Sequence, residues 1–186
     1  MRRIYQRFRN QPHQGELHVS DTPDSSIDFV LTRTFNAPRE RVFATMTETE
    51  HLTQWWGPAG CAIEVVSHDL RPGGIFHYCM RFTPSAAMFG KFDYLEVVRP
   101  ERIVFINGFS DAQGTRTRYE MIPTWPVEVI NTVTLEEREG ATFMNFHSSP
   151  RNASQLEIET FNAGHASMNE GFGGMYDVYE KYLATL

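Results

Sequence analysis

Apolar residues recur with two periods along this chain, and the changes of period mark its elements. Over 27–35, β-branched and large apolar side chains alternate with polar ones, the pattern of a strand with one buried face. Asn36-Ala37-Pro38 then opens a helix, because proline fits the first turn, where its missing N–H costs nothing. Val42, Phe43 and Met46 follow at helical spacing. Thr47-Glu48-Thr49-Glu50 fits a capping box and predicts a second short helix carrying Leu52, Trp55 and Trp56. Gly57-Pro58 stops it.

The alternating period returns over 61–70, 75–82, 89–98, 102–109, 127–136 and 141–148. Arg71-Pro72-Gly73-Gly74 is turn chemistry between two of these strands, and short joins favour an antiparallel meander. Within 75–82, Phe76, Tyr78, Met80 and Phe82 share one face, and His77 and Arg81 take the other. His147 falls on the same outward phase as His77, so both are expected to face solvent. Residues 107–126 make a long polar connection containing Trp125, expected as a partial lid. Ser154-Gln155-Leu156-Glu157 caps a final long helix. On it His165, Met168, Phe172, Tyr176, Tyr179 and Leu183 form one apolar stripe. Gly164, Gly171, Gly173 and Gly174 oppose helicity by up to ~1 kcal/mol each, so tight packing or a bend is expected there.

The predicted fold is α+β: a curved antiparallel sheet of about seven strands around a long C-terminal helix, with two short helices after the first strand. Residues 1–26 are polar and read as a flexible extension, and 27–186 as one domain. A net charge of −6 argues against general nucleic-acid affinity. No apolar run approaches the ~20 residues of a membrane span. The arginine-rich start has no apolar stretch behind it, so it does not read as a secretory signal. Cys61 and Cys79 have neither zinc nor redox spacing, which reads as two free thiols in a reducing cytoplasm.

Several motifs in order resemble one family. They are Phe35-Asn36-Ala37-Pro38-Arg39-Glu40-Arg41-Val42-Phe43, Trp55-Trp56-Gly57-Pro58, Asp69-Leu70-Arg71-Pro72-Gly73-Gly74 and Tyr78-Cys79-Met80-Arg81. Val97-Val98-Arg99-Pro100-Glu101-Arg102-Ile103-Val104-Phe105 and Glu170-Gly171-Phe172 continue the series. Over 27–186 the chain resembles the START-like (SRPBCC) superfamily and, within it, the family named after the activator of the heat-shock protein 90 ATPase. The resemblance implies a helix-grip fold with a cavity between sheet and long helix. It implies relatives that bind lipids, hormones or aromatic polyketides there, a few being cyclases or dehydratases. The activator role belongs to eukaryotic relatives with an additional chaperone-binding domain, which nothing in this chain resembles. Phe172 stands where the family usually has a tryptophan, which implies a larger pocket.

Alternation assigns the inward positions. The strands offer Phe76, Tyr78, Met80, Phe92, Tyr94, Phe105, Met144 and Phe146. Trp55 and Trp56 come from the short helix, and Met168, Phe172 and Tyr176 from the long one. Such side chains either fill a solid core or line an apolar ligand site. Asn131 lies in phase with its inward neighbours, so its amide needs a partner: a core network or a ligand group. His165, with Tyr78, is the candidate acid–base pair, although a lone histidine on an apolar stripe also reads as a satisfied core residue. No metal and no cofactor is expected, since no histidine or cysteine pair has a ligand spacing. The expected function is binding of a small apolar or aromatic molecule. A cyclase, dehydratase or hydrolase is the first alternative, and a chaperone-cofactor, stress-response or homodimeric interaction module the second.

Overall fold

The computed structural model describes residues 28–58 and 60–186. The extension expected over 1–26 lies outside them. The elements are β1 (Phe29–Phe35), α1 (Arg39–Thr47), α2 (Thr49–Trp55), β2 (Ala62–His68), β3 (Ile75–Thr83) and β4 (Ala86–Val98). They continue with β5 (Arg102–Ser110), β6 (Glu128–Arg138), β7 (Ala141–Arg151), α3 (Gln155–Ala163) and α4 (His165–Leu183). The seven strands form one curved, open antiparallel sheet in the order β1-β7-β6-β5-β4-β3-β2. Only β1 leaves the meander, to pair with the last strand.

Register explains the core. Phe105 pairs with Asn131, Asn131 with Ser148 and Ser148 with Phe29, so four strands place one inward row side by side. The sheet's inner face is covered by α2 and α4, giving the α+β helix-grip-like arrangement expected. Tyr179 joins the helices. It is fully buried, its hydroxyl lies 2.6 Å from Thr45 Oγ1, and it donates to the Val42 carbonyl at 3.2 Å. Its ring meets Trp55 and Phe35 with centroids 4.6 and 4.9 Å away.

Four expectations need correction. The Thr47 capping box does not form: the Thr47 hydroxyl donates to the Phe43 carbonyl within α1, and α2 starts without a side-chain cap. The final helix is two helices meeting at Gly164, where a Cβ would lie 2.9 Å from the Trp125 ring. Its Ser154–Glu157 capping box is present, but it caps α3. His77 is on the outer face yet only 4% exposed, because the β5–β6 connection folds back over that face and the Asp111 carbonyl meets its Nε2 at 3.1 Å. Only the first part of that connection lies there: Arg118 pairs with Glu157 of α3, and Trp125 packs on Phe161 at the α3–α4 joint. Phe82, expected inward, is 41% exposed, because the β3–β4 hairpin runs past the core's edge.

Candidate functional site

A small, largely enclosed hollow of about 40 Å³ lies between the sheet and α2 and α4. Seven of the expected residues line it: Trp55, Trp56, Phe92, Tyr94, Phe105, Phe146 and Tyr176. Met46, Thr47, Leu52, Ile103 and Val133 complete its wall. Ile103 and Val133 share the inward phase of Phe105 and Asn131, so alternation could have found them. A hollow this size takes a water or a methyl-sized group, against roughly 150 Å³ for an apolar cavity that admits benzene.

The other expected residues pack around the hollow. Phe76 stacks on Tyr78 with centroids 4.7 Å apart, and Tyr78 meets the edge of Trp56. The Tyr78 ring runs over Gly90, where a Cβ would sit 2.5 Å from the hydroxyl, so the neighbouring strand must carry glycine there. Met80 and Met144 are buried core. Asn131 is satisfied within the protein: its Nδ2 donates to the Val129 carbonyl at 3.0 Å and its Oδ1 accepts from Ser148 Oγ at 2.8 Å. His165 sits against the rings of Phe29 and Phe161, with Nε2 buried and unpaired. The structure does not join it to Tyr78. Met168 is partly buried, and Phe172 bridges Phe29 and Phe146.

Two polar features belong to residues of this lining. The Trp56 indole N–H is buried without a hydrogen-bond partner. The Tyr78 hydroxyl beside it is close enough for the indole to ease its ionisation, but the geometry is not that of a hydrogen bond. Burial nevertheless dominates and pushes the Tyr78 hydroxyl up to about 12. The second feature is the contact of the Tyr94 hydroxyl with His68 Nε2 at 3.0 Å; His68 Nδ1 in turn lies 2.7 Å from Thr49 Oγ1. Burial raises the Tyr94 proton affinity and lowers that of His68, the latter opposed by Asp69. Alternation from Ile63 places His68 outward. A bulge between Val65 and Ser67 reverses the phase, and His68 pairs with inward Phe76.

Outside the wall, an open groove of about 390 Å³ is lined by Thr47, Glu48, Thr49, Glu50, His68, Leu70 and Arg99. At its edge Glu48, Glu50 and His51 each place a possible metal-ligand atom within 4.8 Å of the others, on the surface and with no further support for a metal. Both cysteines are free thiols, and burial raises both, so neither is poised as a thiolate. No described helix is long and apolar enough to cross a membrane.

The sheet gripping a C-terminal helix, with an aromatic interior between them, defines a START-like protein. Residues 36–184 match the family model described as Activator of Hsp90 ATPase homolog 1-like protein, and the chain belongs to that family. Solved structures agree at the level of fold. Protein Ms6760 from Mycobacterium smegmatis is 22% identical with a TM-score of 0.69, over 86% of this chain and 92% of that one. A protein from Arthrobacter aurescens is 23% identical with a TM-score of 0.71, over 86% and 87%. An AHSA1 protein from Silicibacter pomeroyi is 21% identical with a TM-score of 0.61, over 85% and 98%. No curated protein matches the sequence.

Proposed function

We propose that this protein binds a small apolar or aromatic molecule in the hollow between its sheet and helices α2 and α4. The observation that carries the reading is an aromatic-walled hollow with a buried, unpaired indole donor at Trp56. An unpaired buried donor costs about 1–3 kcal/mol, and a guest with one acceptor atom would recover part of that. The apolar wall supplies the remaining affinity, at ~25 cal/mol per Å² before ordering costs.

The hollow must widen to admit such a guest. The neighbouring part most able to move is the first half of α4, which packs behind the lining through Phe172 on Phe146. All buried residues of α4 lie from Met175 onward, and Gly171 and Gly174 have open space where a Cβ would stand. These glycines weaken the helix without a packing return.

Titration with naphthalene and 2-naphthol tests the reading, followed by tryptophan fluorescence and melting temperature. Saturable quenching of Trp55 and Trp56 and a rise in Tm are expected. The stabilisation would reach about 2.7 kcal/mol at a hundredfold excess over Kd. Filling the hollow by Val133→Phe, or by the milder Val133→Ile, would weaken the effect. A flat titration with both probes, or an unchanged response in the filled variants, would refute the site.

A further inference from the structure

We propose that Tyr94, His68 and Thr49 form a relay that carries a proton between the outer groove and an oxygen atom of a guest in the hollow. This makes the site an acid–base catalyst for small aromatic or cyclic compounds bearing a hydroxyl or carbonyl group. It rests on the binding reading above.

The geometry points to this in four ways. Tyr94 lines the hollow while His68 and Thr49 line the groove, so the chain of polar contacts crosses the wall between them. The contacts are 3.0 Å from the tyrosine hydroxyl to Nε2 and 2.7 Å from Nδ1 to the threonine hydroxyl. The Tyr94 hydroxyl makes no other hydrogen bond among the described residues, so it retains one free donor or acceptor direction. Thr49, at the other end, is exposed.

The transfer balances without any charged intermediate on the relay. In one tautomer the Thr49 hydroxyl donates to Nδ1, Nε2–H donates to the Tyr94 oxygen, and the Tyr94 O–H donates to the guest oxygen. When Tyr94 gives up its proton to that oxygen it takes the Nε2 proton. His68 takes the Thr49 proton at Nδ1, and Thr49 takes one from groove water. The guest oxygen gains a proton, the water becomes hydroxide in open solvent, and the imidazole ends in its other tautomer. The reverse sequence removes a proton from a guest hydroxyl. Tyrosinate never forms, which matters because burial disfavours it here.

A neutral imidazole is essential, since imidazolium has no acceptor nitrogen. The groups facing His68 are Tyr94, Thr49 and the Phe76 ring, whose centroid is 4.9 Å away, with Asp69 adjacent in the chain. Glu48, Glu50 and Arg99 look onto it across the groove. Transfer therefore weakens as pH falls and His68 becomes protonated.

Bound 2-naphthol tests the relay, because its excited hydroxyl is strongly acidic and its naphtholate emits at a separate wavelength. Fluorescence anisotropy reports binding, and the emission ratio reports proton transfer. In the unaltered protein the bound probe should emit from naphtholate and show a solvent deuterium isotope effect. Tyr94→Phe, His68→Gln and Thr49→Val should each lower the naphtholate-to-naphthol ratio of the bound probe by about tenfold or more. Thr49→Val is exposed and keeps the relay falsifiable if either buried change unfolds the protein. Raised anisotropy with one emission ratio in all four proteins would overturn the relay alone. Absence of any anisotropy change in the unaltered protein would overturn the binding reading, and the relay with it.

Discussion

Tyr179 concentrates the helix–helix contact in one side chain. Its hydroxyl serves Thr45 Oγ1 and the Val42 carbonyl, both buried, and its ring fills the space between Trp55 and Phe35. Tyr179→Phe keeps the ring and removes the hydroxyl. It should cost about 1–2 kcal/mol, read as a lower urea midpoint with an unchanged slope. Ser148→Ala tests a different polar contact. It leaves Asn131 Oδ1 buried without its donor and should cost about 1–3 kcal/mol. At this scale the inward side chains were legible, because period 2 assigns Phe92, Tyr94, Phe105 and Phe146 without any knowledge of tertiary contacts. His68 was not legible. One extra residue in β2 reverses its side of the sheet, and nothing in Val65-Val66-Ser67-His68 announces a bulge.

At the scale of elements, the glycines of the last two helices divide into two kinds. A Cβ on Gly164 would press on the Trp125 ring at 2.9 Å and on the Phe161 carbonyl at 3.2 Å. Gly171 and Gly174 meet nothing within 4 Å. Gly164→Ala should therefore destabilise the α3–α4 joint. Gly171→Ala and Gly174→Ala should each stabilise by up to ~1 kcal/mol, because alanine removes helix entropy cost without a clash. Chemical denaturation of the three variants gives the opposite signs directly. If motion of the first half of α4, packed behind Phe146 through Phe172, opens the hollow, the double alanine variant should also slow probe entry in stopped-flow fluorescence. The sequence placed these glycines on a helix and offered packing or bending as reasons. Only the backbone path separates the bend at Gly164 from the unsupported stretch after it. The β5–β6 connection reads as a loop from its polar composition, but composition does not say that Asp111 meets His77 on the outer face while Trp125 reaches Phe161 at the α3–α4 joint.

For the molecule as a whole, buried acids that share one direction of shift set its response to alkali. Tyr78 is pushed up to about 12 by burial, and Tyr94, Tyr176 and Tyr179 are raised by the same cause. They come from β3, β4 and α4, so together they report on the closure of sheet over helix. An unfolded tyrosine loses its proton near pH 10. Above that the unfolded chain binds fewer protons than the folded one, and stability falls as pH rises. Each tyrosine removes up to ~1.4 kcal/mol per pH unit in this window, so four withdraw on the order of 5–10 kcal/mol between about pH 10 and 12. That is comparable with the whole stability of a domain. The raised thiols of Cys61 and Cys79 act in the same direction from slightly lower pH. The expected outcome is a cooperative alkaline unfolding in which buried tyrosinate absorbance and loss of circular dichroism coincide. A bound aromatic guest should move that transition to higher pH, because it stabilises only the closed form. Gradual ionisation of the four tyrosines with the secondary structure intact would instead mean that water already reaches the interior.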